Sequence, residues 1–190
     1  MRVSILTGAL LGSLVWSACE LPVAPTYTNS SGSLALSRDD ALLYAVDKDN
    51  DILAVVDAKQ EQVIATVKVG KSPERVTVGP DDTIYVSNRG DRSVSIVRKN
   101  DWTSAPVRIE VGIEPIGLAV APDNKTLYVV SSTSSTAAEY GMLTAIDLGT
   151  LQPSWEIPIG DEPRGIALLD GNRAVISLYR KASLVEVNLT

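Results

Sequence analysis

Five charged residues gather around three short segments of one form. Gly70-Lys-Ser-Pro73, Gly112-Ile-Glu-Pro115 and Gly160-Asp-Glu-Pro163 all read G-x-x-P, and Glu74, Arg75, Glu114, Glu162 and Arg164 stand within two residues of the prolines. A guanidinium offers paired N–H donors that match a carboxylate or phosphate. Arg75 and Arg164 could therefore hold an acidic ligand or a partner loop. The plainer alternative is solvated surface charge, with ion pairs worth ~0–1 kcal/mol each. The choice depends on whether the fold brings the three segments to one place.

Other tempting groups have simpler explanations. Asp47, Asp49 and Asp51 alternate in DKDND like calcium ligands. An EF-type loop also needs a glycine at its sixth position and a glutamate at its twelfth, which are missing, so a hairpin turn is expected. Arg89-Gly90-Asp91 spells an integrin-recognition tripeptide, but glycine and aspartate also make tight turns. Asn29, Asn124 and Asn188 begin glycosylation sequons, of which Asn124 is accounted for as a turn residue. The chain has no histidine, which excludes a Ser-His-Asp triad and His-ligated zinc or haem within it. Cys19 is its one cysteine, so neither an internal disulfide nor a Cys-x-x-Cys site can form. Net charge is −6 with no basic run, which argues against a general nucleic-acid partner. No catalytic residue, metal or cofactor is expected from these residues.

Met1 to Ala18 has one positive residue, an apolar run from Ile5 to Trp16 and small residues at its end. That is the pattern of a signal peptide, and the run is short of the ~20 residues that span a bilayer. Val15-Trp-Ser-Ala-Cys19 resembles a bacterial lipobox, which implies lipidation of Cys19 and a membrane anchor. Acyl chains contribute ~0.8 kcal/mol per buried CH₂, and several together anchor stably. The lipobox pattern prefers leucine where Trp16 stands. Glu20, in place of an aspartate, implies sorting to the outer membrane. Removal of residues 1–18 takes away Arg2 and leaves 16 positive against 23 negative residues. Residues 19–32 then form the lipidated cysteine and a tether rich in Pro, Ser, Thr and Asn.

The elements that position the charged residues come from a repeat. The G-x-x-P prolines are 42 and 48 residues apart, and Tyr44, Tyr85 and Tyr128 are 41 and 43 apart. Tyr179 stands in a nearby place in the last unit, 51 residues on. The third unit carries a polar insertion, Ser131 to Gly141. Each unit shows short runs rich in Val, Ile and Tyr, which suit strands. In the second unit the runs are Arg75–Val78, Thr83–Ser87, Ser93–Arg98 and Val107–Val111. Gly-Pro-Asp-Asp at 79–82 and Ala-Pro-Asp-Asn at 121–124 are tight-turn sequences between the first two runs. The glycine of each G-x-x-P is expected to free the chain to pass between sheets. Four antiparallel strands at this period describe an all-β fold, a β-propeller with about 3.75 blades in this chain. Blades would start near residues 33, 70, 112 and 160, and the propeller region would cover 33–190. In such a fold the residues after each proline lie at the mouth of the central channel.

The pattern G-x-x-P-x-G-x-A-V-x-P-D-x-x-x-L-Y-V-V at Gly112 to Val130, with Tyr85-Val-Ser-Asn88, resembles the YVTN β-propeller repeat. The resemblance covers roughly residues 33 to 190 and implies a bacterial envelope protein with a ring of more blades. The fourth unit holds three strands, so an N-terminal portion of a longer protein is expected, with a second chain as the other route to ring closure. The leading functional expectation is a lipid-anchored module in the periplasm or at the cell surface that binds or scaffolds a protein or small molecule. The alternatives are the propeller portion of a periplasmic redox enzyme (haem or quinone type) or lactonase-like enzyme with its catalytic residues elsewhere, and a surface-layer or adhesion protein.

Overall fold

A computed structural model describes residues 31–133, 140–169 and 172–189. The expected signal peptide, Cys19, the tether up to residue 30 and most of the insertion at 134–139 lie outside the described residues. Within them the chain is all-β, without helix, and folds as consecutive antiparallel sheets. Blade 1 contains β1 (Leu34–Leu36), β2 (Leu42–Asp47), β3 (Ile52–Asp57) and β4 (Gln62–Lys68). Blade 2 contains β5 (Pro73–Val78), β6 (Ile84–Asn88), β7 (Ser93–Val97) and β8 (Val107–Glu110). Blade 3 contains β9 (Ile113–Val120), β10 (Thr126–Thr133), β11 (Gly141–Asp147) and β12 (Gln152–Gly160). Blade 4 contains β13 (Pro163–Leu168), β14 (Arg173–Leu178) and β15 (Ser183–Asn188). The strands of each sheet follow sequence order, so every connection within a blade is a hairpin. The sheets change at the G-x-x-P segments. This is a β-propeller arrangement.

Three apolar clusters fill the three interfaces between neighbouring blades. Tyr44, Leu53, Val55 and Val67 of blade 1 meet Val76, Ile84, Val86 and Val97 of blade 2. Tyr85, Val94, Ile96 and Ile109 of blade 2 meet Leu118, Leu127, Val129 and Ile146 of blade 3. Tyr128, Leu143 and Ala145 of blade 3 meet Ile166, Ala174, Ile176 and Val187 of blade 4. Because side chains alternate across a strand, each sheet turns one apolar row to the preceding blade and the other to the following one. Each fully buried Val or Leu contributes ~1.5–3 kcal/mol. The repeated tyrosine always faces the next blade.

Tyr179, near the corresponding place by spacing, does not follow this pattern. It lies beyond the end of β14 and is 64% exposed, whereas Tyr44, Tyr85 and Tyr128 are 0%, 3% and 6% exposed. Register puts Val175 in the equivalent place: Val175 pairs with Ala167 as Tyr128 pairs with Ala119.

The glycines of G-x-x-P also differ from the expectation in two of three cases. Only Gly160 has positive φ, at 114°. Gly70 and Gly112 are required by space: a Cβ on Gly70 would lie 2.5 Å from Asn88 Cγ, and one on Gly112 would lie 2.8 Å from Ser131 Cβ. The left-handed backbone falls instead on the residue before each proline, Ser72 (φ 48°), Glu114 (55°) and Glu162 (47°).

Candidate functional site

The innermost strands β5, β9 and β13 all run from the same end of the blades. Their first residues therefore share one rim with the turns that join each second strand to its third. Glu74, Arg75, Glu114 and Arg164 sit at the starts of these strands, and Glu162 immediately precedes β13. The three left-handed residues before proline lie on this rim too. A non-glycine residue held there costs roughly 1–3 kcal/mol and persists only where its surroundings fix it.

One of the carboxylates engages a residue the sequence reading took only for a turn. Arg89 Nη2 donates to Glu114 Oε2 at 2.8 Å, joining blade 2 to blade 3. This hydrogen bond raises the Arg89 pKa further, with charge contributions from Glu114, Glu74 and Glu162, while burial opposes the shift. Of the three predicted glutamates, only Glu114 contacts this guanidinium. A signal was present: Lys48, Arg89 and Arg180 each follow the last residue of a second strand or its turn neighbour. Lys48 Nζ lies 3.5 Å from Glu74 Oε2, joining blade 1 to blade 2. Arg180 Nη2 instead lies 2.9 Å from Glu162 Oε1 in its own blade. Glu74 Oε2 is buried and makes no hydrogen bond.

The two predicted arginines engage separate partners. The Arg164 guanidinium stacks 3.9 Å above the Tyr179 ring and lies 4.0 Å from Glu162 Oε2. Arg75 Nη1 donates to the Ser31 carbonyl at 2.9 Å. They belong to blades separated by blade 3 and do not form one paired clamp.

The weighed motifs act as turns. Asp47 accepts hydrogen bonds from the backbone N–H of Asp49 and Asn50 and from the Asn50 amide. In Arg89-Gly90-Asp91, the arginine holds Glu114 and the aspartate holds Arg108 and the Lys71 N–H. Asn124 adopts φ 57° within its turn.

Sequence reading missed a cleft of about 630 Å³ between blades 2 and 3, away from the rim. It is lined by Asp81, Tyr85, Lys99, Pro106, Asn124 and Leu148 among others. The segment between β7 and β8 forms part of its wall, and Trp102 of that segment packs 6.1 Å from Tyr44. Its unusual length for a hairpin was the available clue.

No protein-family model matches the chain, and no curated protein matches it. Solved structures do. Hydrazine synthase from Kuenenia stuttgartiensis superposes with TM-score 0.74 and 25% identity over 90% of this chain and 49% of the other. The Cps50 (Swd1) β-propeller domain of Myceliophthora thermophila superposes with TM-score 0.63 and 12% identity over 78% of this chain and 49% of the other. A Bacteroides uniformis protein assigned as a 6-phosphogluconolactonase gives TM-score 0.63 and 14% identity over 84% and 54%. The chain spans about half the length of each of these structures. They establish propeller architecture, and one fold of this kind hosts many activities.

Proposed function

We propose that this chain is a lipid-anchored propeller of the YVTN-repeat type at the bacterial cell envelope, and that it binds a protein or small-molecule ligand at the rim. The observation that carries the ligand site is the row of charged pairs along the rim, Lys48–Glu74, Arg89–Glu114 and Arg180–Glu162, beside the Arg164–Tyr179 stack. Positive groups held by neighbouring carboxylates, together with a buried oxygen that makes no hydrogen bond on Glu74, suit a ligand carrying both acceptors and donors. Anchoring rests on the leader, which is cleaved off, and on Cys19, which then becomes the new N-terminus. Further blades, or a second chain, would cover the outer faces of blades 1 and 4, where Leu34, Leu36, Val63 and Leu184 are exposed.

The test is fractionation of cells expressing the chain or its Cys19→Ala variant. The reading expects the parent in detergent-extractable membranes and the variant released to the soluble fraction. Equal distribution of the two would contradict lipidation.

A second reading is favoured by the match to hydrazine synthase at half that chain's length. There the chain would be the propeller portion of a larger redox or lactonase-like enzyme, with its catalytic groups outside these residues. A longer native polypeptide with turnover would support it over the first.

A further inference from the structure

Ser31 and Gly32 make their hydrogen bonds outside blade 1. Gly32 forms an antiparallel bridge with Val76 of β5: its N–H donates to the Val76 carbonyl at 3.2 Å and its carbonyl accepts from the Val76 N–H at 2.7 Å. Ser31 spans two blades. Its carbonyl accepts from Arg75 Nη1, and its hydroxyl accepts from the Leu118 N–H of β9, both at 2.9 Å. β6 already pairs with the other side of β5, and β10 with the other side of β9. The edges that Ser31 and Gly32 cover are therefore the inner edges of blades 2 and 3, which face the channel.

An inner edge with unpaired N–H and C=O groups is a template for strand addition. What it recognises is main chain: a carbonyl and N–H at one position, and at the preceding one a carbonyl plus a small hydroxyl. Arg75 supplies a permanent positive charge to a carbonyl that is neutral, so the contact reads peptide oxygen and not one particular side chain. Only two residues are engaged, and ordering the chain before them opposes the contact. Such a short bridge can exchange with a longer strand that pairs over more residues.

We propose that the channel-facing edges of β5 and β9 are a binding site for an extended peptide strand, which the chain's own Ser31–Gly32 fills in cis. The partner is an extended, uncharged polypeptide segment with Ser or Thr at the position over Leu118. The proposal rests on the rim reading through Arg75 alone.

The test uses the full chain and a fluorescein-labelled peptide of residues 25–33, PTYTNSSGS, followed by anisotropy. Gly32→Pro removes the N–H that bonds Val76 and opens the seat. The variant should bind the peptide saturably, and the parent at least about tenfold more weakly. Adding Arg75→Ala to the variant should weaken binding by about another tenfold, the effect of a lost hydrogen bond to a charged group. Arg173→Ala, at a side chain that pairs with Glu186 within blade 4 and away from the seat, should leave peptide binding unchanged. No saturable binding by a Gly32→Pro chain with the parent's circular dichroism spectrum would overturn the proposal, as would equal binding by parent and variant. If Gly32→Pro fails to fold, Ser31→Ala, which deletes one hydroxyl, serves in its place with the same two outcomes. Failure here leaves the anchored-module reading intact, because that reading is decided separately by Cys19.

Discussion

The two ends of the blades use their charged residues in different ways. At the end away from the rim, Asp39, Asp81 and Asp123 each accept the backbone N–H two residues on, from Ala41, Thr83 and Lys125. The same local turn is built blade after blade, and Lys99 is the side chain that reaches from blade 2 to Asp39 of blade 1. At the rim, contacts cross between blades: Lys48 to Glu74, Arg89 to Glu114, and Arg75 to the segment before β1. Local turns fix each hairpin at the end away from the rim, where Asp82 also accepts the Arg38 N–H of blade 1 at 3.1 Å, whereas at the rim Lys48–Glu74 and Arg89–Glu114 join blade 1 to blade 2 and blade 2 to blade 3. Both ends thus carry contacts between blades, and the rim is the end where the proposed ligand site lies.

This contrast can be tested by substitution. The largest effect should come from Gly141, where β11 approaches the start of blade 4. A Cβ there would lie 2.0 Å from Pro163 Cδ and 2.7 Å from the Gly160 carbonyl. Gly141→Val should lower unfolding stability by about 3 kcal/mol or more, as overpacking against backbone does. Urea denaturation measures this, and an unchanged midpoint would mean that the blades pack more loosely than described.

Asn88→Ala should follow. Asn88 accepts from the Gly70 N–H at 3.1 Å and donates to Ser93 and Ser95, each at 2.9 Å, all of them buried. Removing it leaves buried partners unsatisfied, at about 2–3 kcal/mol. Replacement of Asp81 by alanine, which deletes one turn hydrogen bond, should cost less by the same denaturation measurement.

Acid should reveal the local turns. Hydrogen bonds from Ser37, then Lys99 and Ala41, hold the Asp39 carboxyl well below its ordinary 3.8. The Asn50 side chain does the same for Asp47, and the Thr150 N–H for Asp147. A depressed carboxylate stabilises the fold above its unfolded pKa, and that contribution disappears as pH falls through the folded value. The melting temperature should thus hold from neutrality to about pH 5 and decline below about pH 4. Asp39→Asn should flatten the decline, and a decline of unchanged steepness would remove Asp39 from the explanation.

The smallest effect on stability belongs to the Arg89–Glu114 pair, whose side chains are 32% and 44% exposed. A double-mutant cycle should give a coupling of about 0–1 kcal/mol. A coupling far above that would make the pair a structural tie and weaken its assignment to ligand recognition.

What was legible in the sequence was what repeats within a blade. Runs of Val, Ile and Tyr gave strand positions close to β5–β8, and the Pro-Asp turns fell where the hairpins turn. Contacts between blades were not legible, since a local pattern carries no record of its neighbour. Arg89 looked complete as a turn residue until Glu114 of the next blade was beside it. Gly70 looked like a hinge until the space occupied by Asn88 showed why a side chain is forbidden. Tyr179 matched the tyrosine spacing only approximately, and register separated it from the buried three. The seat of Ser31 depends on residues 44 and 87 positions away, at Arg75 and Leu118, and nothing local announces it.

The most direct test of the account is the intact mass of the native protein extracted with detergent from its own membranes. The account predicts a chain that begins at Cys19 and carries the added mass of acyl groups. A protein with an unmodified N-terminus, or one still holding residues 1–18, would contradict it.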